Sequence, residues 1–252
     1  MNPPEPDKAH ADIGLVCALP MEIQPFLDRC EHVKKYTGGS YVFRGGFLGQ
    51  IKVAVVQTGV GFARARAATQ ALVDAHSPPW VLSVGFSGAL KPKMKVGDIV
   101  VATSVCDLHG QELKNDVHFP EDPENGLHVG RILNTDEIVR TVEEKLQLAE
   151  KYDALAVDLE SLAVAQVCQA ANKGFMAIRV ISDDCSADLP SEVMSILGET
   201  GAVRAGAALG AVFKRPESIK EMWKMRGDAS RAATRLGSFL DGVVVQLYEA
   251  RH

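Results

Sequence analysis

Short, continuous apolar runs alternate along this chain with segments of helical pattern. The runs at residues 13–19, 51–58, 80–85 and 175–182 are largely apolar, which is typical of strands buried on both sides of a sheet. The clearest helical pattern is the alanine-rich segment 62–75. Strands that alternate with helices predict a sheet covered on both faces. We therefore expect an α/β fold with three α/β/α layers around a central mixed, mostly parallel β-sheet.

One domain accounts for nearly the whole chain. Residues 1–11 are polar and rich in proline, which predicts a flexible N-terminal tail. Residues 12–252 contain neither an internal repeat nor a linker of biased composition, so we expect a single domain there.

Further elements follow from turn signals and periodicity. We expect a strand at 96–102 and helices near 136–150 and 160–172. The remaining predictions are a hairpin joining 41–47 to 51–58, a small-residue turn at 85–89, and a polar surface loop at 106–126.

The composition excludes several classes of protein. The formal net charge is −5 and the lysines and arginines are scattered, whereas nucleic acids and anionic membranes are bound by concentrated basic surfaces. No apolar run approaches the ~20 residues of a membrane span, and the N-terminus lacks the apolar core of a signal peptide. The five cysteines show no zinc-binding spacing. We therefore expect a cytoplasmic protein with reduced thiols and with neither a metal nor an organic cofactor.

Acidic residues stand at the carboxyl ends of predicted strands or directly after them. Ligands of α/β sheets bind at this edge, because the loops converge there on one crevice. Acids at such an edge indicate binding of sugar hydroxyls and protonation of a leaving group rather than capture of a phosphate. Glu22 and Glu160 have a plainer alternative, since an acid near a helix N-terminus is stabilised by the helix dipole. The acids are Glu22, Asp158, Glu160 and Asp183.

The segments that carry these residues occur in the order seen in the nucleoside phosphorylase superfamily. Within it the chain most resembles the methylthioadenosine/S-adenosylhomocysteine nucleosidases, over about residues 12–185. The resemblance implies a nucleoside phosphorylase-like fold and cleavage of the bond between ribose and a purine base. The motifs are IGLVCALPME at 13–22, QTGVG at 57–61, VGFSGAL at 84–90, VGDIV at 96–100, AVDLES at 156–161 and RVISD at 179–183.

The resemblance also implies a role for each acid. Asp183 would be the general acid that protonates the leaving adenine, and Glu22 would activate the attacking water. Glu160 would hold the ribose hydroxyls and Leu159 would pack against the sugar, with Asp158 as a neighbour of the site. The function that follows is N-ribosyl hydrolysis of 5′-modified adenine nucleosides with release of adenine.

The remaining expected substrate-binding residues include two departures from the family pattern. Phe86 replaces a small residue at the ribose end, next to Ser87 and Gly88. Ile138 stands where an aromatic ring would stack on adenine, so a stacking face is lost.

The C-terminal extension resembles a branch of the superfamily thought to release adenine from adenosylhopane, a bulky lipid nucleoside. Met222, Trp223 and Met225 would form an apolar entrance or, alternatively, pack the helix onto the sheet.

Two alternative functions remain open. One is a nucleoside phosphorylase acting on adenosylhopane or a related nucleoside, and the other is a nucleoside-binding protein without turnover. The absence of an arginine at residues 19–22, where Glu22 stands instead, favours water over phosphate as nucleophile. We expect a homodimer whose partner is a small nucleoside, with no nucleic acid and no membrane span.

Overall fold

The computed structural model describes residues 10–115, 118–189 and 216–251, and of residues 216–226 the backbone alone. Within these ranges the chain forms one ten-stranded sheet with helices packed against it. The strands are β1 Ile13–Cys17, β2 Glu31–Gly38, β3 Tyr41–Leu48, β4 Ile51–Gln57, β5 Trp80–Ala89, β6 Ile99–Cys106, β7 Glu112–Lys114, β8 Leu127–Asn134, β9 Ala156–Asp158 and β10 Gly174–Asp183. The helices are α1 Pro20–Leu27, α2 Phe62–His76, α3 Val142–Tyr152, α4 Ser161–Ala170 and α5 Pro216–Glu249, with a short 3₁₀ turn at Pro123–Asn125.

The sheet has the strand order β10-β6-β8-β9-β5-β1-β4-β3-β2, with β7 on the outside of β6. Strand β10 pairs with β5 as well as with β6, so that β10, β6, β8, β9 and β5 close into a ring. The pairings of β1 with β4 and β5, of β10 with β5, and of β8 with β6 and β9 are parallel. The other pairings in the described chain are antiparallel, which confirms the mixed sheet.

Both faces of the sheet are covered, which confirms the three α/β/α layers. On one face α1 and α5 bury Phe26 and Leu236 against strand residues such as Leu82. On the other face α2 and α4 bury Leu72 and Val164. Helices α1 and α5 approach closely at Gly237, where a Cβ atom would lie 2.9 Å from the backbone nitrogen of Phe26.

Several predicted boundaries were wrong. Residues 85–89 continue β5 instead of forming a turn, because strands β9 and β10 pair with them. The predicted loop contains β7, and the helix expected from residue 136 begins at Val142. Strands β2 and β8 were not predicted: every residue of β2 is exposed, and β8 is buried only in its last three residues.

The tail and the C-terminal extension are only partly described. Residues 1–9 lie outside the described ranges, but Ala11 is buried and donates its N–H to the His76 carbonyl at 3.1 Å. The predicted tail therefore ends before Ala11. The side chains of Met222, Trp223 and Met225 lie outside the described residues. No helix in the described part of the chain is long and apolar enough to cross a membrane.

Candidate active site

Glu22 lies in the first turn of α1, at the carboxyl end of β1. Its Oε2 accepts the Leu19 N–H at 2.7 Å and its Oε1 accepts the Phe86 N–H at 2.9 Å. The carboxyl therefore caps the N-terminus of α1, as expected of an acid in the first turn of a helix. It also contacts β5. Burial raises the pKa of Glu22, although these N–H groups and the charge of Arg179 oppose the shift.

Gly85 makes room on β5 for this carboxyl. A Cβ atom at position 85 would lie 2.7 Å from Glu22 Oε1 and 3.0 Å from Cδ, closer than real contacts allow. Any side chain at position 85 would therefore displace the Glu22 carboxyl from this position, which explains the first glycine of the VGFSGAL motif.

Arg179 is a buried, positively charged residue that lines the cleft of Glu22. The sequence analysis assigned it no role. Its Nε donates to Asp158 Oδ2 at 2.5 Å, and its Nη2 donates to the hydroxyls of Ser83 and Ser161 at 2.8 and 2.9 Å. The Ser161 hydroxyl also donates to Asp158. Arginine and aspartate are both buried, so Asp158 is engaged in this network. Nη1 of Arg179 is buried and has no hydrogen-bond partner among the described residues.

Glu160 directly precedes α4, yet its side chain does not cap that helix. Instead, Oε1 accepts the Gly61 N–H at 2.7 Å, from the loop between β4 and α2. Burial and the negative charge of Asp158 raise the pKa of Glu160 to about 8, although Arg179 acts in the opposite direction. Stabilisation by the dipole of α4 therefore does not by itself explain the position of the Glu160 side chain, which bonds Gly61 instead.

Glu22, Glu160 and Arg179 line one narrow cleft, together with Ser83 and Gly85. The cleft has no volume left for a water-sized molecule. A ligand would have to widen it, and the two carboxyls and the guanidinium would then face that ligand.

Asp183 ends β10 further along the same edge. A register shift after Ile181 brings Asp183 opposite Gly88 of β5. Its Oδ2 accepts from Lys145 Nζ at 2.5 Å, and its Oδ1 accepts from the Ser182 hydroxyl at 2.8 Å. The sequence analysis had not singled out Lys145, because one lysine in an amphipathic helix pattern normally indicates a solvated face.

Both Glu22 and Asp183 contact strand β5. Glu22 contacts β5 at Gly85 and Phe86, and Asp183 contacts it at Gly88. Three residues of extended strand span about 10 Å. Glu22 and Glu160 line the same cleft beside β5, and Asp183 lies next to the same strand three residues further on.

The other predicted residues surround this edge less closely. Phe86 packs its ring against the core shared with α1 and α5, although its N–H faces Glu22. The Ser87 hydroxyl is buried and has no hydrogen-bond partner within the described ranges. Leu159 and Ile138 are half-buried and do not line the cleft of Glu22 and Glu160.

A second cavity of about 140 Å³ borders the site. Phe62 and Leu162 line it, and each is within two residues of the hydrogen bond that joins Gly61 to Glu160. His109 also lines this cavity, from the loop between β6 and β7.

Comparisons with known proteins agree with this architecture. The 5′-methylthioadenosine/S-adenosylhomocysteine nucleosidase of Exiguobacterium is 25% identical over 230 residues, which cover 81% of this chain and 98% of the relative. The enzyme of that name from Maridesulfovibrio salexigens is 24% identical over 206 residues, covering 72% of this chain and 89% of the relative.

Solved structures show the same fold. The Streptococcus pneumoniae nucleosidase with the transition-state inhibitor MT-ImmA superposes with a TM-score of 0.70 at 18% identity, covering 92% of this chain and 97% of the other. Futalosine hydrolase of Helicobacter pylori superposes with a TM-score of 0.68 at 20% identity, covering 93% and 97%. The family profile of the phosphorylase superfamily matches residues 12–127 and 121–213. Because these matches span more than half of the sequence, the chain belongs to the phosphorylase superfamily.

Proposed function

We propose that this protein is an N-ribosyl hydrolase that cleaves the glycosidic bond of 5′-modified adenine nucleosides and releases adenine. The observation that supports this most strongly is that Glu22 and Glu160 line one cleft beside β5, while Asp183 lies next to Gly88 of the same strand. The names of the relatives, nucleosidases of methylthioadenosine and S-adenosylhomocysteine, support the substrate class.

Breaking the bond between ribose and adenine leaves positive charge on the sugar and negative charge on the base. An enzyme accelerates the reaction by stabilising both charges in the transition state. In our proposal Asp183 delivers a proton to the imidazole ring of adenine. Glu22, which contacts β5 at Gly85, accepts the proton of the water that attacks the anomeric carbon. Burial raises the pKa of Glu22, which makes its carboxylate a stronger base.

The sugar would lie between these two acids. Glu160 faces the same cleft as Glu22, so we assign it to the ribose hydroxyls. Leu159 would pack against the sugar, and Ile138 and Ser87 would border the base. Asp158 would act indirectly, because the ion pair with Arg179 occupies its carboxylate.

Phosphorolysis is the second candidate, and Arg179 is the observation that favours it. The buried Nη1 atom lacks a partner among the described residues, and an oxyanion in the cleft would satisfy it. Two observations weigh against phosphate. The Glu22 carboxyl occupies the same cleft, and Asp158 already balances the arginine charge. Hydrolysis is therefore preferred, and phosphorolysis of adenosylhopane or a related nucleoside is the alternative.

Assembly and location follow the sequence-based expectations. We propose a homodimer in the cytoplasm, built from one domain after the N-terminal tail. Sedimentation velocity of the purified full chain tests the dimer, and a monomer at micromolar concentration would contradict it.

Adenine release tests the proposed function. The purified chain would be incubated with methylthioadenosine, S-adenosylhomocysteine, adenosine and inosine, each with and without inorganic phosphate. We expect adenine from the two 5′-modified nucleosides without phosphate. Strict dependence on phosphate with formation of a ribose 1-phosphate would favour the phosphorylase, and binding without turnover would favour the inactive nucleoside-binding protein.

A further inference from the structure

Lys145 is a fully buried lysine on α3, at the base end of the proposed site. Its side chain is 0% exposed, and Nζ lies 2.5 Å from Asp183 Oδ2 and 3.0 Å from the Asp184 carbonyl oxygen. Lysine is almost never fully buried unless it is paired, because removing its charge from water is costly. The carboxylate of Asp183 is the charged partner of this buried lysine.

The surrounding backbone holds α3 in place for this contact. The side chain of Asp188, in the segment after β10, accepts the Val142 N–H at the start of α3 at 2.8 Å. Thr141 caps the helix by accepting the Glu144 N–H. Because Lys145 also donates to the carbonyl of Asp184, α3 is joined both to Asp183 and to the segment that follows it.

Gly88 leaves the space that the ion pair needs. A Cβ atom at this position would lie 3.0 Å from Asp183 Oδ2 and 3.6 Å from Lys145 Cε. The Ser182 hydroxyl fixes the other carboxylate oxygen. Each oxygen of Asp183 therefore has its own donor, and the carboxyl is held in one orientation.

The ion pair of Lys145 and Asp183 lies where the leaving base would gain negative charge. A lone carboxylate beside the leaving base would repel the negative charge that develops on it. An ammonium group 2.5 Å away offsets that repulsion and holds a transferable proton.

We propose that Lys145 is a positioning residue and proton source for Asp183, an inference that rests on the proposed function above. As the glycosidic bond breaks, its electron pair passes to adenine. An Nζ–H bond of Lys145 breaks as its proton passes to the Asp183 carboxylate, where an Oδ–H bond forms. That Oδ–H bond then breaks as an N–H bond forms on the imidazole ring, and the neutral lysine regains a proton from solvent water.

A double-mutant cycle tests this coupling through the kcat of adenine release. Lys145→Met should lower kcat by at least ~100-fold, in the range of general acid catalysis. In an Asp183→Asn background the same substitution should lower kcat by less than about threefold, because the group it acts through is gone. A merely structural lysine would cost the same factor in both backgrounds, which would overturn the proposal.

Lys145→Gln keeps a hydrogen-bond donor of similar reach but has neither the charge nor the transferable proton, and it serves if the methionine variant does not fold. We expect the same loss of kcat with KM within about threefold of the parent value. If the parent enzyme releases adenine and the folded glutamine variant does so with a near-parent kcat, the role of Lys145 is overturned and the proposed function stands. A parent without adenine release would instead refute the proposed function, and the role of Lys145 with it.

Discussion

Arg179 donates from Nε to Asp158 Oδ2 at 2.5 Å, and both side chains are buried. The pair links β10 to the end of β9, two residues before Glu160. Through Ser83 and Ser161 it also reaches β5 and α4. One buried ion pair therefore connects the elements that carry three of the four predicted acids.

The first prediction concerns the stability that depends on this pair. Asp158→Asn should lower the free energy of unfolding by about 3–5 kcal/mol, because it leaves the Arg179 charge buried without its partner. Urea denaturation at neutral pH measures the change.

Asp153→Asn is the matched control for that substitution. Asp153 also pairs with a basic residue, Lys91, but its side chain is 88% exposed. Asparagine tolerates the left-handed backbone of residue 153, so the loss should stay below about 1 kcal/mol. Equal effects of the two substitutions would contradict the importance assigned to the buried pair.

The second prediction concerns the contact between Gly85 and Glu22. Gly85→Ala should lower kcat at least ~100-fold, because the new methyl group must displace the Glu22 carboxyl, and misplacement of a catalytic group by ~1 Å has costs of that order. Steady-state kinetics of adenine release measures it.

Gly242→Ala is the control, since a Cβ atom there meets nothing within 4 Å. This change within α5 should leave kcat unaltered and stabilise the helix by up to about 1 kcal/mol. Parent-like kcat in Gly85→Ala would show that the position of Glu22 does not limit the reaction.

The third prediction concerns pH and Glu160. Burial and Asp158 raise the pKa of Glu160 from 4.5 to about 8 in the folded chain. Between these two values the folded state binds more protons than the unfolded state, so the free energy of unfolding falls as the pH rises. Glu160→Gln removes this contribution. Urea midpoints between pH 5 and pH 8 should therefore fall more steeply for the parent than for the variant, and parallel curves would contradict the shift.

The sequence predicted the layers, and it also placed acids at the ends of strands, because those features are local. Continuous apolar runs reveal buried strands, and a carboxyl residue after such a run lies at the ligand-binding edge wherever the strand pairs. The order of the motifs added the roles of Glu22, Glu160 and Asp183.

The partners of these acids could not be predicted in the same way. Lys145 and Asp183 are 38 residues apart in the sequence, and Arg179 reaches Ser83 across 96 residues. Such contacts depend on strand order and on the register shift in β10, which no local pattern specifies. Residues 85–89 were read as a turn for the same reason, since their pairing with β9 and β10 overrides the turn preference of glycine.

The most direct test of the account measures adenine release from methylthioadenosine in phosphate-free buffer by the parent, Glu22→Gln and Asp183→Asn. We predict turnover by the parent and at least ~100-fold lower kcat in each variant, with substrate binding retained. Parent-like kcat in either variant, or a parent that turns over only when phosphate is added, would contradict the account.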